Sequence, residues 1–363
     1  MVIDSEFLTQ LQTSTPRLLN LLAGFSQVKV LVVGDLTLDE FMTGQVERLS
    51  REAPVLILRH ETTERVPGGG ANAVYNFAKL RAQVQVVGLV GKDEQGIALG
   101  HIFEMAGVDT TGILVDPQRP TVTKTRISGH ARQSVTQQIV RVDRKSDDLP
   151  DINLQLQLAK CIQQQVGTVD AVICSDYGDG VLTAPVIEAA ISHPQRIIVD
   201  TQKDLQRYKG ATLFTPNLPE AEKAVGYAIT TLENLYQAGC DLLKLTNARQ
   251  ILITRGEEGM TLFDRIAPKH NPNSPPPSFT ITGSGDTSIY CWHIPAFNRT
   301  DVFDVTGAGD TVVAALTLAL GIGASTWEAT VLGNLAASLV VRKFGTATTT
   351  VDEITEALQV LVS

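Results

Sequence analysis

Short apolar runs rich in β-branched residues recur along the chain, and helical periods fill the intervals between them. Val28–Val33, Val84–Leu89, Ala171–Cys174, Arg196–Val199, Ala211–Phe214 and Gln250–Ile253 read as strands that are apolar throughout rather than at every second position. Ala71–Leu80, Gly96–Ala106, Leu154–Val166, Ala184–Ser192, Glu220–Val225 and Thr231–Leu243 read as helices. A strand that is apolar on both faces has to be covered on both, and helices between successive strands supply that cover in a parallel sheet. The fold class is therefore α/β, and the chain, 363 residues with 43% hydrophobic content, is ample for a full core.

Two stretches break this rhythm. Leu38–Glu61 and a segment from about residue 118 to Asp143 lack a helical period and alternate polar with apolar residues, as in Val55-Leu56-Ile57-Leu58-Arg59 and Gln138-Ile139-Val140-Arg141-Val142. They suit antiparallel strands of a small sheet inserted in one domain spanning 1–363, placed as a lid over the strand ends where open α/β sheets bind ligands. The other interruption, Asp264–Asn298, holds six prolines among polar residues and reads as a surface insertion.

Asp304-Val305-Thr306-Gly307-Ala308-Gly309-Asp310-Thr311 runs directly into an apolar helical pattern, Val312 to Leu320. A glycine turn that opens a helix presents free N–H groups at the positive end of the helix dipole, which is how phosphate oxygens are held. Asp310 would repel phosphate there unless it acts on the attacking partner, and accepting a hydroxyl proton is the obvious action. Gly283-Ser284-Gly285-Asp286-Thr287 nearly repeats the motif, but no helical face follows it, so the chemistry is assigned to Asp310 rather than Asp286. The net charge of -9 excludes a nucleic-acid surface, and no apolar run is long enough for a membrane span. Four scattered cysteines indicate neither a zinc site nor a disulfide framework; with no signal-peptide pattern at the start, a cytoplasmic location is expected.

Pro67-Gly68-Gly69-Gly70-Ala71-Asn72 leads into a helix that also carries Asn76, and Gly34-Asp35-Leu36-Thr37-Leu38-Asp39 closes the first strand. Together they give two carboxylates and amides able to grip a polyol. These motifs resemble the ribokinase/PfkB family of sugar kinases, with Gly68–Asn72 similar to its N-terminal signature and Asp304–Thr311 to its C-terminal one. Asn217-Leu218-Pro219-Glu220 resembles its Asn-x-x-Glu element, and Thr254-Arg255-Gly256-Glu257-Glu258-Gly259 its nucleotide-side loop. Arg48–Val55, Thr123–Arg126, Gln138–Asp143, Ser175-Asp176-Tyr177 and Arg207–Asn217 resemble, within the family, the kinase part of bacterial heptose-phosphate kinase/adenylyltransferases. Asp179 departs from that subgroup, which tends to have lysine there, and the chain ends at Ser363, so the adenylyltransferase activity is expected to be absent or on another chain.

The resemblance implies a ribokinase-like three-layer α/β/α fold and ATP-dependent phosphorylation of a sugar, with Mg2+ as cofactor. Asp310 would be the base, and the N–H groups of Gly307, Ala308 and Gly309 would hold the transferring phosphoryl group. Asp35, Asp39, Gly69, Gly70, Asn72, Asn76 and Asp176 would hold the sugar. Arg48, Lys124, Arg126 and Arg141 of the lid would select a distant phosphate. Asn217 and Glu220 would act on magnesium through water; Thr254, Gly256, Gly259, Asn334, Ala337 and Gly345 would line the nucleotide. A homodimer through the lid is expected, with Val55, Ile57, Ile127, Ile139 and Val142 on the covered face. Another sugar, sugar phosphate or nucleoside as acceptor, or a sugar-binding regulator, stays open at this point.

Overall fold

The computed structural model describes residues 4–131, 135–192, 196–266, 275–282, 288–298 and 302–362. Its strands are β1 Lys29–Gly34, β2 Leu36–Leu49, β3 Leu56–Gly69, β4 Gln83–Gly91, β5 Asp109–Asp116, β6 Val122–His130, β7 Gln137–Arg144, β8 Ala171–Asp176, β9 Arg196–Thr201, β10 Leu213–Phe214, β11 Gln250–Thr254, β12 Met260–Asp264, β13 Phe279–Thr282 and β14 Ser288–Ile294. The α-helices are α1 Ser5–Gly24, α2 Gly70–Lys79, α3 Glu94–Met105, α4 Ile152–Gln165, α5 Ala184–Ile191, α6 Leu218–Val225, α7 Leu232–Thr246, α8 Ala308–Gly321, α9 Thr326–Val340 and α10 Val351–Val362.

Ten strands form one sheet in the order β13-β14-β12-β11-β10-β9-β8-β1-β4-β5. From β11 through β5 every neighbour is parallel, as apolar strands separated by helices require. β12, β14 and β13 are added antiparallel at one edge. One apolar cluster, with α1, α2, α8, α9 and α10, lies on one face, and a second, with α4, α5 and α7, lies on the other. The site is positioned by the carboxyl ends of β1, β8 and β9, the end at which open α/β sheets receive ligands.

The expected insertion 264–298 is different in kind. Its described part contains β13 and β14, and Cys291, Trp292 and Ile294 of β14 are buried in the main sheet. β14 pairs with β12 along Met260↔Ile294 to Asp264↔Tyr290, so the prolines flank a core strand rather than mark a wholly superficial excursion.

The small sheet has the order β3-β2-β6-β7. β2 and β3 form a long antiparallel hairpin and β6 pairs antiparallel with β7, but β2 and β6 run parallel, which corrects the expectation of a purely antiparallel lid. The parallel pair follows from connectivity: β4, α3 and β5 of the main sheet intervene between β3 and β6, so the chain re-enters the small sheet by a crossover.

Candidate active site

Asp310 sits in the first turn of α8 and is 3% exposed. Gly307 caps that helix with φ +80°, and a Cβ built there would stand 2.6 Å from Asn72 Nδ2, so both backbone and space call for glycine. The close approach lets Asn72 Nδ2 donate to Asp310 Oδ2 at 2.7 Å, while the Tyr177 hydroxyl donates to Oδ1 at 3.1 Å. Burial pushes the Asp310 carboxyl up to about 7 against the lowering effect of these two hydrogen bonds and of Lys124. A carboxylate tuned close to neutrality is suited to take a proton and give it up again.

Asn72 therefore addresses the acid rather than capping its helix, whose N-cap is Gly69. Asn76 supports it from one turn on: its Nδ2 donates to the Asn72 carbonyl at 2.9 Å and to Asn72 Oδ1 at 3.2 Å, and its Oδ1 accepts from Thr311 Oγ1 at 2.8 Å. This buried chain ties α2 to α8 and occupies the Asn76 amide, correcting its assignment as a sugar contact. Beside Asp310 the Ala308 N–H donates to Val305 O at 3.2 Å, so it is not a free phosphate donor as expected. Gly309 faces open space, where a Cβ would meet nothing within 4 Å.

Asp35 and Asp176 are also placed otherwise than expected. Asp35 Oδ2 accepts the N–H groups of Tyr177 and Asp179 at 2.9 and 3.0 Å, and Oδ1 that of Val181 at 2.9 Å. It shapes the loop after β8, with burial raising its carboxyl to about 6. Asp176 accepts from Gly178 N, Thr201 Oγ1, Arg207 Nη1 and the Tyr208 hydroxyl, at 3.0, 3.1, 2.7 and 2.7 Å. Asp35 thus holds the backbone of Tyr177, and Asp176 is tied to the loop after β8 and to Thr201, Arg207 and Tyr208.

The small sheet brings a second set to the same place. Arg126 Nη1 is 3.0 Å from Asp39 Oδ1, and the guanidinium lies 5.1 Å from the Phe41 ring centroid. Gly68 admits this contact, since a Cβ there would be 2.7 Å from the Asp39 carboxyl. Gly69 and Gly70 pass equally close to Thr37 Oγ1 and Asp35 O, at 2.9 and 2.8 Å for an added Cβ, so they serve close chain packing. Lys124 Nζ stands 5.9 Å from the Tyr177 ring centroid, and its charge acts on Asp310. Arg141 lies directly across from Arg126 on edge strand β7 but is exposed and pairs with Asp143 at 2.8 Å. Arg48 is exposed near the far end of β2, and neither arginine is joined to the Asp310 cluster by a contact.

On the other side, Asn217 and Glu220 form a closed capping box on α6: Glu220 N donates to Asn217 Oδ1 at 2.9 Å and Asn217 N to Glu220 Oε2 at 3.0 Å. Asp200, at the end of β9, went unnoticed in the sequence; burial, then the charges of Asp310 and Glu220, hold its carboxyl pKa well above the ordinary carboxylate range. Among the described residues no three His, Cys, Asp or Glu side chains converge closely enough to cage a metal ion. Asp200 nonetheless feels the charges of both Asp310 and Glu220, and hard oxygen donors so placed fit a magnesium ion that keeps most of its waters. Thr254 joins Asn217 through an isolated parallel bridge, and Gly256 and Gly259 shape the turn beyond it at φ +56° and +83°. Asn334 Nδ2 donates to Pro295 O at 2.7 Å, Ala337 is buried, and Gly345 N donates to Asp304 Oδ2 at 3.1 Å, so these three serve packing and loop closure. Residues 283–287, with Asp286, lie outside the described residues.

The sequence matches the model of the pfkB family carbohydrate kinases over residues 28–353. The bifunctional protein HldE of Geobacter metallireducens is 39% identical over 340 residues, covering 92% of this chain and 64% of that protein. The HldE of Helicobacter hepaticus is 38% identical over 331 residues, covering 90% and 63%. The chain thus spans a little under two thirds of the length of these relatives. Among solved structures, phosphofructokinase-2 from Escherichia coli in complex with substrates and products aligns with a TM-score of 0.69 at 18% identity, covering 93% of this chain and 100% of that one. Arabidopsis thaliana ribokinase complexed with ribose and ATP aligns at 0.64 and 20%, covering 93% and 99%. These two likenesses give the fold, ribokinase-like α/β with a small second sheet. With the family match running from β1 to α10, the chain belongs to the pfkB family of carbohydrate kinases.

Proposed function

We propose that the protein transfers the γ-phosphoryl group of ATP to a sugar hydroxyl, and that the acceptor is the anomeric hydroxyl of D-glycero-D-manno-heptose 7-phosphate, giving the 1,7-bisphosphate. The observation that carries the kinase reading is Asp310: buried, raised to about 7, and aimed by Asn72 and Tyr177 at the first turn of α8. The heptose reading rests on the subgroup-like motifs and on the similarity to HldE proteins.

In the transfer, the acceptor O–H bond breaks and its proton passes to an Asp310 carboxylate oxygen. An O–P bond forms to the γ-phosphorus as the bond from that phosphorus to the β-phosphate bridging oxygen breaks, and ADP leaves. Asn72 and Tyr177 keep the carboxylate from turning, so its remaining lone pairs face the acceptor. The open first turn of α8 at Gly309 receives phosphoryl oxygens, a preorganised contribution worth about 10²–10³ in rate per donor. Asp200 and Glu220, with Asn217 holding Glu220, would hold Mg2+ through water, and the ion would supply neutralisation of phosphate charge. Thr254 and the Gly256–Gly259 turn lie on the nucleotide side. Asp39, Lys124 and Arg126 lie on the sugar side, with Arg141 one strand further out. With separate thiols and no described helix long and apolar enough to cross a membrane, we place the reaction in the cytoplasm.

The small sheet is proposed to join two copies of the chain. A Cβ on Gly129 would meet Ile139, Val46 and Leu58, which puts these three around one spot, and Ile139 and Val142 remain 43% and 51% exposed. A four-stranded sheet with an uncovered apolar side is completed by a two-fold partner.

A coupled ADP-release assay over sugars and sugar phosphates tests the activity. ADP release should be fastest with the heptose 7-phosphate, and the product should carry two phosphates. Release with no sugar at all would overturn the kinase reading, and preference for another acceptor would overturn the heptose.

A further inference from the structure

Four cations from the ends of four different strands converge on the loop after β8. Arg119 follows β5, and its Nη2 donates to the Asp179 carbonyl at 2.6 Å. Lys145 follows β7, with Nζ 3.9 Å from Asp179 Oδ1. Lys203 follows β9 and folds its stem against Gly178, where a Cβ could not be accommodated. Lys124 of β6 stands over the Tyr177 ring.

Among the described residues, Asp179 is the carboxylate on which all four charges act. Asp179 is 10% exposed at its side chain, and the nearby Asp35 and Asp176 are already saturated by loop N–H groups and by Thr201, Arg207 and Tyr208. Lys145 has one further partner, the exposed Asp147, at 3.6 Å. The Arg119 Nε is buried and unpartnered, a donor left over when the Asp179 carbonyl has been served. Of the four, Lys203 also borders a cavity of about 700 Å³ beside this loop, which Gly178, Gly180, Arg207, Asp176, Glu188 and apolar residues of α5 line with it. Such a concentration of positive charge in a chain of net charge -9 is selective for an anion.

We propose that Arg119, Lys124, Lys145 and Lys203 form a subsite for a phosphate carried by the acceptor sugar away from its reacting hydroxyl, with Asp179 as a built-in counter-ion that competes for it. The proposal rests on the sugar-kinase reading, and it places the selecting charge on the β8 loop, two residues from Tyr177, rather than on the outer lid arginines. Tyr177 holds the base and Asp179 holds the anion site, so one loop would set both the position of the acid and the length of sugar that spans the two. Lys124 connects them, because its charge acts on both Asp310 and Asp179. Asp179 makes the subsite discriminating: a weak anion does not displace it, whereas a dianionic phosphate with three oxygens gains several charge-assisted hydrogen bonds in exchange.

The test is a titration of the full chain with inorganic phosphate, read by calorimetry, for the parent and for Asp179→Asn, Lys203→Met and Lys145→Met, with melting curves as a check on folding. Asp179→Asn keeps the backbone bonds to Asp35 and Arg119 and should tighten phosphate by about tenfold, while each lysine variant should weaken it by about three- to tenfold. In the ADP-release assay Lys203→Met should raise KM for a phosphorylated sugar and leave that of its unphosphorylated analogue within about twofold. Phosphate affinities that stay flat across three well-folded variants would overturn the subsite even in an active sugar kinase. A titration series that follows the expected order in a protein releasing no ADP with any sugar would uphold the subsite and remove the kinase reading instead.

Discussion

The two sheets of the molecule obey different rules. β8 is buried along its whole length and β1 everywhere but its first residue, whereas β7 is exposed at every position. The large sheet is held by apolar area on both faces, roughly 25 cal/mol per Å² removed from water. The small sheet has one face turned to the site, with Asp39, Lys124 and Arg126, and apolar side chains that its own chain leaves half covered. The large sheet thus carries most of the buried apolar area, while the small sheet is too small to stand alone. The acid lies at the seam, on a helix of the large layer, yet it takes one hydrogen bond from α2, which is entered directly from β3.

The largest expected effect tests the seam itself. Asp310→Asn keeps the shape and should lower kcat by about 10²–10⁴. The parent's kcat should rise with pH through about 7 as the buried carboxyl ionises. Because the folded pKa lies above the unfolded one, Asp310 stabilises the fold at low pH relative to neutrality, and that stability is lost as pH rises from about 4 through about 7. The asparagine variant should therefore melt above the parent at pH 8 and together with it at pH 4. Near-normal turnover in this variant would remove Asp310 as the base.

The next effect separates the sheets directly. Phe214→Ala, in the core of the large sheet, should cost about 3–5 kcal/mol in urea unfolding, while Val142→Ser on β7 should cost the isolated chain less than about 1 kcal/mol. Equal losses would mean that the small sheet is as tightly packed as the large one. Third, light scattering at micromolar concentration should give roughly twice the 39.1 kDa chain mass for the parent, and the single mass when Ile139→Ser and Val142→Ser are combined. A parent that stays single with full activity would detach the small sheet from assembly. Smallest is Arg141→Ala: as an exposed partner of Asp143 it should change a phosphorylated acceptor and its unphosphorylated analogue alike, within about twofold. A loss confined to the phosphorylated acceptor would move the selecting charge out to the lid arginines.

The large sheet was legible where apolar runs were continuous, and α8 where glycine stood directly before a helical period. α1 was not legible, because Pro16 and a mix of Ser, Thr and Gln residues hide its buried stripe of Phe7, Leu11, Leu18 and Leu22. β14 was hidden by prolines on both sides, and β5 by its charged ends. At the site, residue types were readable but orientation was not. Asp35 and Asp176 end two neighbouring strands as a ligand-binding carboxylate would, yet backbone N–H groups or buried hydroxyls occupy them. Tyr177, Asp179 and Asp200 gain their importance only from neighbours brought in by other strands, and no local pattern announces that.

The bond between Asn72 and Asp310 joins positions 238 residues apart. At about 5–20 residues per second on the ribosome, the acid emerges on the order of tens of seconds after its amide partner. During that interval the nascent chain already has β1, the β2–β3 hairpin and α2, but neither Asp310 nor the first turn of α8. A chain that has not yet reached α8 therefore carries the Asn72 amide without the carboxylate it serves, and a chain truncated before α8 should release no ADP with any sugar.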